Sequence, residues 1–218
     1  MTYSGTVRVG GPADVHELQN LMISKAAVGP MNNNAYLLRC RETGEQVLID
    51  AANDAATLLT LIGDDGIGSV VTTHQHGDHW QALAEVVAAT GARTLAGRYD
   101  AEGIGVPTDV PVEDGDTIRF GRIELTARRL VGHTPGSIAL VYDDPDGHPH
   151  VFTGDCLFPG GVGNTHKDPE AFASLIHDVE TKIFEPLPDE TWVYPGHGAD
   201  TTLGAERPLL PEWRRRGW

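Results

Sequence analysis

The stretch Thr73-His-Gln-His-Gly-Asp-His79 limits what this chain can be more than any other. It sets four candidate metal ligands, His74, His76, Asp78 and His79, within six residues. Neutral imidazole and carboxylate suit zinc, iron or manganese. The residues before it, Ser69-Val-Val-Thr, read as a short buried strand. Those after it, 80–90, carry Leu83, Val86 and Val87 at helical spacing. The motif therefore falls on a strand-to-helix loop, which can aim consecutive side chains into one cleft. Gly77 gives the backbone the freedom to bring Asp78 and His76 round to the same point. A lone His on a loop is ordinary polar surface. Four ligands in this order are not explained by a composition with 10 His in 218 residues.

Taken in order, residues 7–50 have the character of strands. Residues 35–40 and 46–49 are apolar runs, and Glu42-Thr-Gly-Glu45 between them suits a hairpin turn. Asp50 closes the second run, either as a turn residue or as an acceptor that orients a ligand imidazole. Asn53-Asp54 can cap a helix through Ile62, and a strand over 92–96 follows the 80–90 helix. This alternation implies α/β layering. Residues 103–115, rich in Gly, Pro and Asp, read as a loop. Residues 117–120 and 123–129 form a hairpin around Gly121, and 138–142 and 151–154 are strands. Asp168-Pro169 opens a helix running to about residue 183, with Asp as cap and Pro in the first turn. Residues 192–194 are a short strand. His148 and His150 flank a turn and read as surface residues, and His177, on the late helix, is not expected to be a ligand. With no internal repeat and no linker, one domain over residues 1–218 is expected.

The net charge of −15 argues against nucleic acid as a partner. No apolar run approaches the ~20 residues that span a bilayer, and no membrane partner is expected. The first residues lack a charged-then-apolar signal pattern, so the expected location is cytoplasmic. Two cysteines, Cys40 and Cys156, make no disulfide framework. Cys156 adjoins a candidate ligand without needing to bind metal.

Three further positions share one pattern: His133, Asp155 and His197 each follow a predicted strand and are bracketed by Gly or Pro. Strand ends on one sheet edge would gather them with the first loop. Seven ligands exceed one tetrahedral ion and suit two ions sharing a carboxylate, ~3.5–4 Å apart.

The motifs Thr73-His-Gln-His-Gly-Asp-His79, Gly132-His133-Thr-Pro-Gly136-Ser, Gly154-Asp155-Cys-Leu-Phe and Pro195-Gly-His197-Gly together resemble those of the metallo-β-lactamase-fold hydrolases. Within that fold the chain looks most like the glyoxalase II branch, the hydroxyacylglutathione thioesterases, in a short form. The resemblance implies an αββα sandwich with the metals at one edge. It assigns His74, His76 and His133 to one ion, and Asp78, His79 and His197 to the other. It makes Asp155 the bridge between them. It further implies a dinuclear hydrolase acting on a small-molecule thioester, with Asp78 also orienting the attacking hydroxide. Zinc is the default ion, and iron or manganese would also be accepted by His and Asp ligands.

Metallo-β-lactamases usually carry Cys at the place of Asp155, which argues against β-lactam hydrolysis. Two departures concern the thiol half of the substrate. Asn164 stands where the glyoxalase II family commonly has Arg, and the sequence ends 21 residues after His197, short of a C-terminal helical domain. Asn164 and, as a point charge, Lys167 are the candidate substrate-binding residues. The alternative is a persulfide dioxygenase of the same fold, with one iron on His74, His133 and Asp155. The carrier thiol, the acyl group and the oligomeric state, a homo-oligomer included, are left open.

Overall fold

The computed structural model describes residues 3–217. Two sheets face each other. The first runs in the order β1 (Asp14–Glu17), β2 (Leu21–Val28), β3 (Asn33–Cys40), β4 (Gln46–Ile49), β5 (Ser69–Thr72), β6 (Arg93–Gly97), β7 (Val110–Val112). The second runs β15 (Thr201–Thr202), β14 (Trp192–Pro195), β11 (His150–Gly154), β10 (Ile138–Tyr142), β9 (Ile123–Arg129), β8 (Thr117–Phe120). A small hairpin, β12 (Leu157–Phe158) with β13 (Gly161–Val162), follows β11.

Leu38, Ile49, Val71, Leu125, Leu140 and Phe152 pack between the sheets. The outer face of the first sheet is covered by α1 (Ala55–Ile62) and α2 (Leu83–Thr90), through Leu58, Ile62, Leu83 and Val86. The outer face of the second is covered by α3 (Pro169–Val179), α4 (Leu203–Glu206) and α5 (Leu210–Arg216), through Phe172, Leu175, Leu203 and Trp213. The result is the expected four-layer αββα sandwich. Burial on both faces explains why β4, β5, β10 and β11 are buried at every residue and show no alternation.

Register brings the functional loops to one edge. β4, β5 and β6 are parallel, so Asp50 and the loop from Thr73 leave the same end of the first sheet. In the second sheet β11 is antiparallel to β10 and parallel to β14, with Gly154 opposite Pro195. The β9–β10 loop, the β11 end and the β14 end therefore meet. Backbone bonds close this edge across the sheets, Ile138 N to Thr73 O at 2.9 Å and Asn34 N to Gly196 O at 2.7 Å.

Three local expectations change. The residues expected to begin a helix at Trp80 instead follow a 3-10 turn, Gly77–His79, and α2 starts only at Leu83. Gln81 N and Ala82 N donate to Ala52 O and Ala51 O, which pins this segment to the β4 end. The expected loop over 103–115 contains β7, whose Pro111 sits on an edge strand where a missing N–H is tolerated. The late helix reaches residue 184, as expected, its last turn, Glu180–Phe184, being a π turn. His150 is not on the surface: it is 1% exposed as the first residue of β11, its Nδ1 2.9 Å from the Tyr194 hydroxyl. His148 is partly exposed and His177 exposed. Among the described residues no helix is long and apolar enough to cross a membrane.

Candidate metal centre

Asp50 organises the first loop from beneath. Its backbone is left-handed, φ +58°, a conformation costly for most residues but tolerated by Asp. The buried carboxylate accepts from Thr73 N, Thr73 Oγ1 and His79 Nδ1, each at 2.8 Å. Because the Thr73 hydroxyl donates to Asp50, the His74 Nδ1–H donates to Thr73 Oγ1, at 3.0 Å. His133 Nδ1–H donates to the Asn164 carbonyl at 2.8 Å, and His197 Nδ1–H to the Met31 carbonyl at 3.1 Å. In all four histidines the outer nitrogen is held by an acceptor, so Nε2 faces the cleft as the ligand atom.

The seven expected ligands converge. The ligand atoms of His74, His76 and His133 lie within 4.8 Å of one another, and so do those of Asp78, His79 and His197. Asp155 faces both groups. Its Oδ1 is 3.3 Å from His79 Nε2, and its Oδ2 is 3.5 Å from His197 Nε2 and 3.9 Å from His133 Nε2. Asn33, buried at the start of β3, donates to Asp78 Oδ2 at 2.8 Å. Gly196 clears room for this arrangement: a Cβ there would lie 2.2 Å from Asp155 Oδ1 and 2.7 Å from His79 Cε1.

The donor set fits metal ions by its own bonding. Among the described residues, His74 Nε2, His79 Nε2, His133 Nε2 and Asp155 Oδ1 are buried atoms without a hydrogen-bond partner. Buried polar atoms are rarely left so, and cations bound at the two groups would satisfy all four. Protonation states agree. Burial, then neighbouring imidazoles, holds His74 well below its ordinary pKa, so it is neutral. Burial likewise lowers His133, against the pull of the Asn164 carbonyl. Burial would raise Asp155 and Asp78, but bonding outweighs it. His79 lowers Asp155 and Asn33 lowers Asp78, so both are ionised. His79 is the exception: burial opposes its charge, yet Asp50 and Asp155 raise it to about 10, so an ion bound there would have to displace a proton.

Asn164 and Lys167 border the centre differently from one another. The Asn164 side-chain oxygen accepts from His166 N at 2.8 Å while its carbonyl holds His133. Lys167 is exposed, in a left-handed conformation with φ +63°. Cys156 is buried, its thiol pKa raised by burial, and it belongs to none of the ligand groups. Sequence reading missed Asn33. It also missed Asp100, a buried carboxylate that accepts from Gln75 N at 3.0 Å, Thr134 Oγ1 at 2.5 Å and Gly136 N at 2.6 Å. Nothing local around Asp100 marks it. His166, also unremarked in the sequence, stands with its ring 6.4 Å from that of His76.

A model of the metallo-beta-lactamase superfamily matches residues 28–197. A hydroxyacylglutathione hydrolase from Polaromonas sp. is 38% identical over 167 residues, and the match covers 76% of this chain and 62% of that protein. The human mitochondrial persulfide dioxygenase ETHE1 is 36% identical over 184 residues, covering 81% of this chain and 69% of that protein. The crystal structure of TTHA1623 in a di-iron-bound form is similar with a TM-score of 0.68 at 32% identity, covering 84% of this chain and 96% of that one.

Proposed function

Since the chain belongs to the metallo-beta-lactamase superfamily, we propose that its centre holds two divalent ions and hydrolyses thioesters of a small thiol. One observation carries the reading: Asp155 Oδ1 and Oδ2 reach toward ligands of both triads, as a bridging carboxylate must. Two ions bound there would lower the pKa of a water and polarise the thioester carbonyl. The chain's own residues do the rest. Asn33 fixes the Asp78 carboxylate, and Asp78 orients the attacking water. The Nδ1 anchors on Asp50, Thr73, Asn164 and Met31 keep the imidazoles aimed. Water adds to the carbonyl carbon, the C–S bond breaks, and the products are a carboxylic acid and a thiol.

Zinc is the default ion. Iron is supported by the di-iron-bound neighbour, and His and Asp ligands accept manganese as well. The thiol half has weak determinants. Asn164 lacks the charged fork with which Arg clasps a carboxylate, and its side-chain oxygen is already bonded within its loop. Lys167 is the candidate point charge. Turnover is therefore expected with little preference for glutathione over other small thiols. The test compares kcat/KM for S-lactoylglutathione with that for thioesters of uncharged thiols, in the wild type and in Asn164→Arg. A strong wild-type preference for the glutathione ester, unchanged in Asn164→Arg, would mean that recognition lies elsewhere.

The similarity to ETHE1, comparable to that with the hydrolase, supports a second reading. One iron on His74, His133 and Asp155 would form a two-histidine, one-carboxylate site with open positions. The complete Asp78, His79 and His197 triad weighs against it.

A further inference from the structure

Outside the ligand set, one charged side chain is fully buried against the loop that carries His197. Lys25, on β2, has a side chain 0% exposed, and its partner Asp200 is 1% exposed. The ammonium donates to Asp200 Oδ1 at 2.6 Å, to the Gly198 carbonyl at 2.8 Å and to the Gly5 carbonyl at 2.8 Å. All three donors of an ammonium are thereby matched. Asp200 Oδ2 in turn accepts from Tyr3 OH at 2.5 Å and Trp192 Nε1 at 3.1 Å. Asn34 adds bonds to the Pro195 and Gly198 carbonyls at 2.8 and 3.0 Å. Residues 195–200 leave a strand of the second sheet but are fastened to the first.

His197 needs this fastening more than the other ligands of its triad. Its side chain is 24% exposed, whereas that of His79 is 0% exposed and rests on Asp50. It precedes Gly198, whose φ of +75° belongs to a tight turn. The loops bearing the first triad are tied by a different group. Asp100 joins the Gln75 amide to Thr134 and Gly136, so it links the loops of His74, His76 and His133. The Asp100 clasp also holds the loop that carries Asp78 and His79, whereas the Lys25 group touches, of the ligand segments, only the one that carries His197, and the two groups share no residue.

We propose that Lys25 is the positioning residue of the second subsite: by holding the Gly198 carbonyl and Asp200 it fixes His197, and so sets whether the centre carries one ion or two. This rests on the two-metal reading above. A buried ion pair contributes little to stability against an apolar substitute, and its better-attested use is to fix one arrangement among several. Here the arrangement fixed is that of a ligand loop.

The test is a calorimetric titration of the metal-free full chain with Zn²⁺, together with its melting temperature. The wild type is expected to take up two ions. Lys25→Met should weaken the second ion by ~10-fold or more, the range seen when support behind a ligand is lost, and leave the first unchanged. Asp100→Asn, which loosens the loop shared by both triads, should weaken the first ion as well. Lys25→Met leaves Asp200 buried and unpaired, so Lys25→Met/Asp200→Asn, which buries no lone charge, reads the same quantity if the single variant fails to fold. Uptake of only one ion by the wild type would overturn the two-metal reading and this proposal with it. Two ions in the wild type, but unchanged affinities or an equal loss of both in the folded Lys25 variant, would overturn the proposal alone.

Discussion

At Asp155 one carboxylate stands between two sets of imidazoles, and its neighbours leave it no other partner for Oδ1. Asp155→Ala should therefore weaken both ions together, by more than the roughly 10–100-fold that follows loss of a hydrogen bond behind a ligand. Metal titration reads this directly, and retention of two tight ions with full turnover would remove the bridging role. The residues that converge here were legible in the sequence because four are nearly consecutive and three follow strands with Gly or Pro at their side. Of their supports, only Asp50, at the close of a strand, was legible. Asn33 bonds Asp78, Asp100 bonds the loops of His74 and His133, and Lys25 bonds the segment after His197, all from distant parts of the chain, and a buried Lys or Asp has the same one-letter appearance as a solvated one. His150 was misread for the same reason: flanked by polar turn residues, it is nonetheless enclosed by His16, Tyr142 and Tyr194. Burial, then the neighbouring His148 and His16, lowers its pKa from 6.5 to about 3. Between those values the unfolded chain binds a proton that the folded chain does not. The stability is therefore complete above about pH 6.5 and falls as the pH drops toward 3, by at most ~1.4 kcal/mol per pH unit from this group. His150→Phe should melt with a shallower pH dependence over that window. Equal slopes in variant and wild type would contradict the assignment.

At the scale of elements, the ends of strands matter more than their middles. β5, β11 and β14 each deliver their ligands in the first residues beyond the strand, and the parallel β4–β5 and β11–β14 pairings set those ends side by side. Strand positions were readable from apolar runs, and the α3 start from Asp168-Pro169, where Asp168 Oδ1 accepts from Glu170 N and Ala171 N. What local pattern could not give was the delay before α2, since it depends on bonds to the far end of β4. It also could not give β7, since Pro111 hides an edge strand. The turn after β14 has little tolerance. A methyl at Gly196 would occupy the space of the Asp155 carboxylate and the His79 ring. Gly196→Ala should fold with intact sheets yet lose metal, with kcat falling much more than the melting temperature of the metal-free protein. Normal metal content in Gly196→Ala would show that the loop can retreat.

For the whole molecule, two sheets with helices outside create one edge where loops from both sheets meet, and the cross-sheet bonds at Ile138–Thr73 and Asn34–Gly196 hold it shut. This layered plan was foreseeable from the order of the motifs, whereas how the loops that carry the candidate ligands are held depends on buried bonds from distant segments that no motif encodes. Relatives of comparable identity are named as a hydrolase and as a dioxygenase, so the decisive quantity is how many ions the assembled centre carries and what it consumes. The most direct measurement is metal content per chain of the purified protein, made alongside thioester hydrolysis and oxygen uptake on the same sample. Two ions per chain, with thioester cleaved and no oxygen consumed, is the predicted result. One iron per chain, with oxygen consumed on a persulfide and no thioester cleaved, would contradict it.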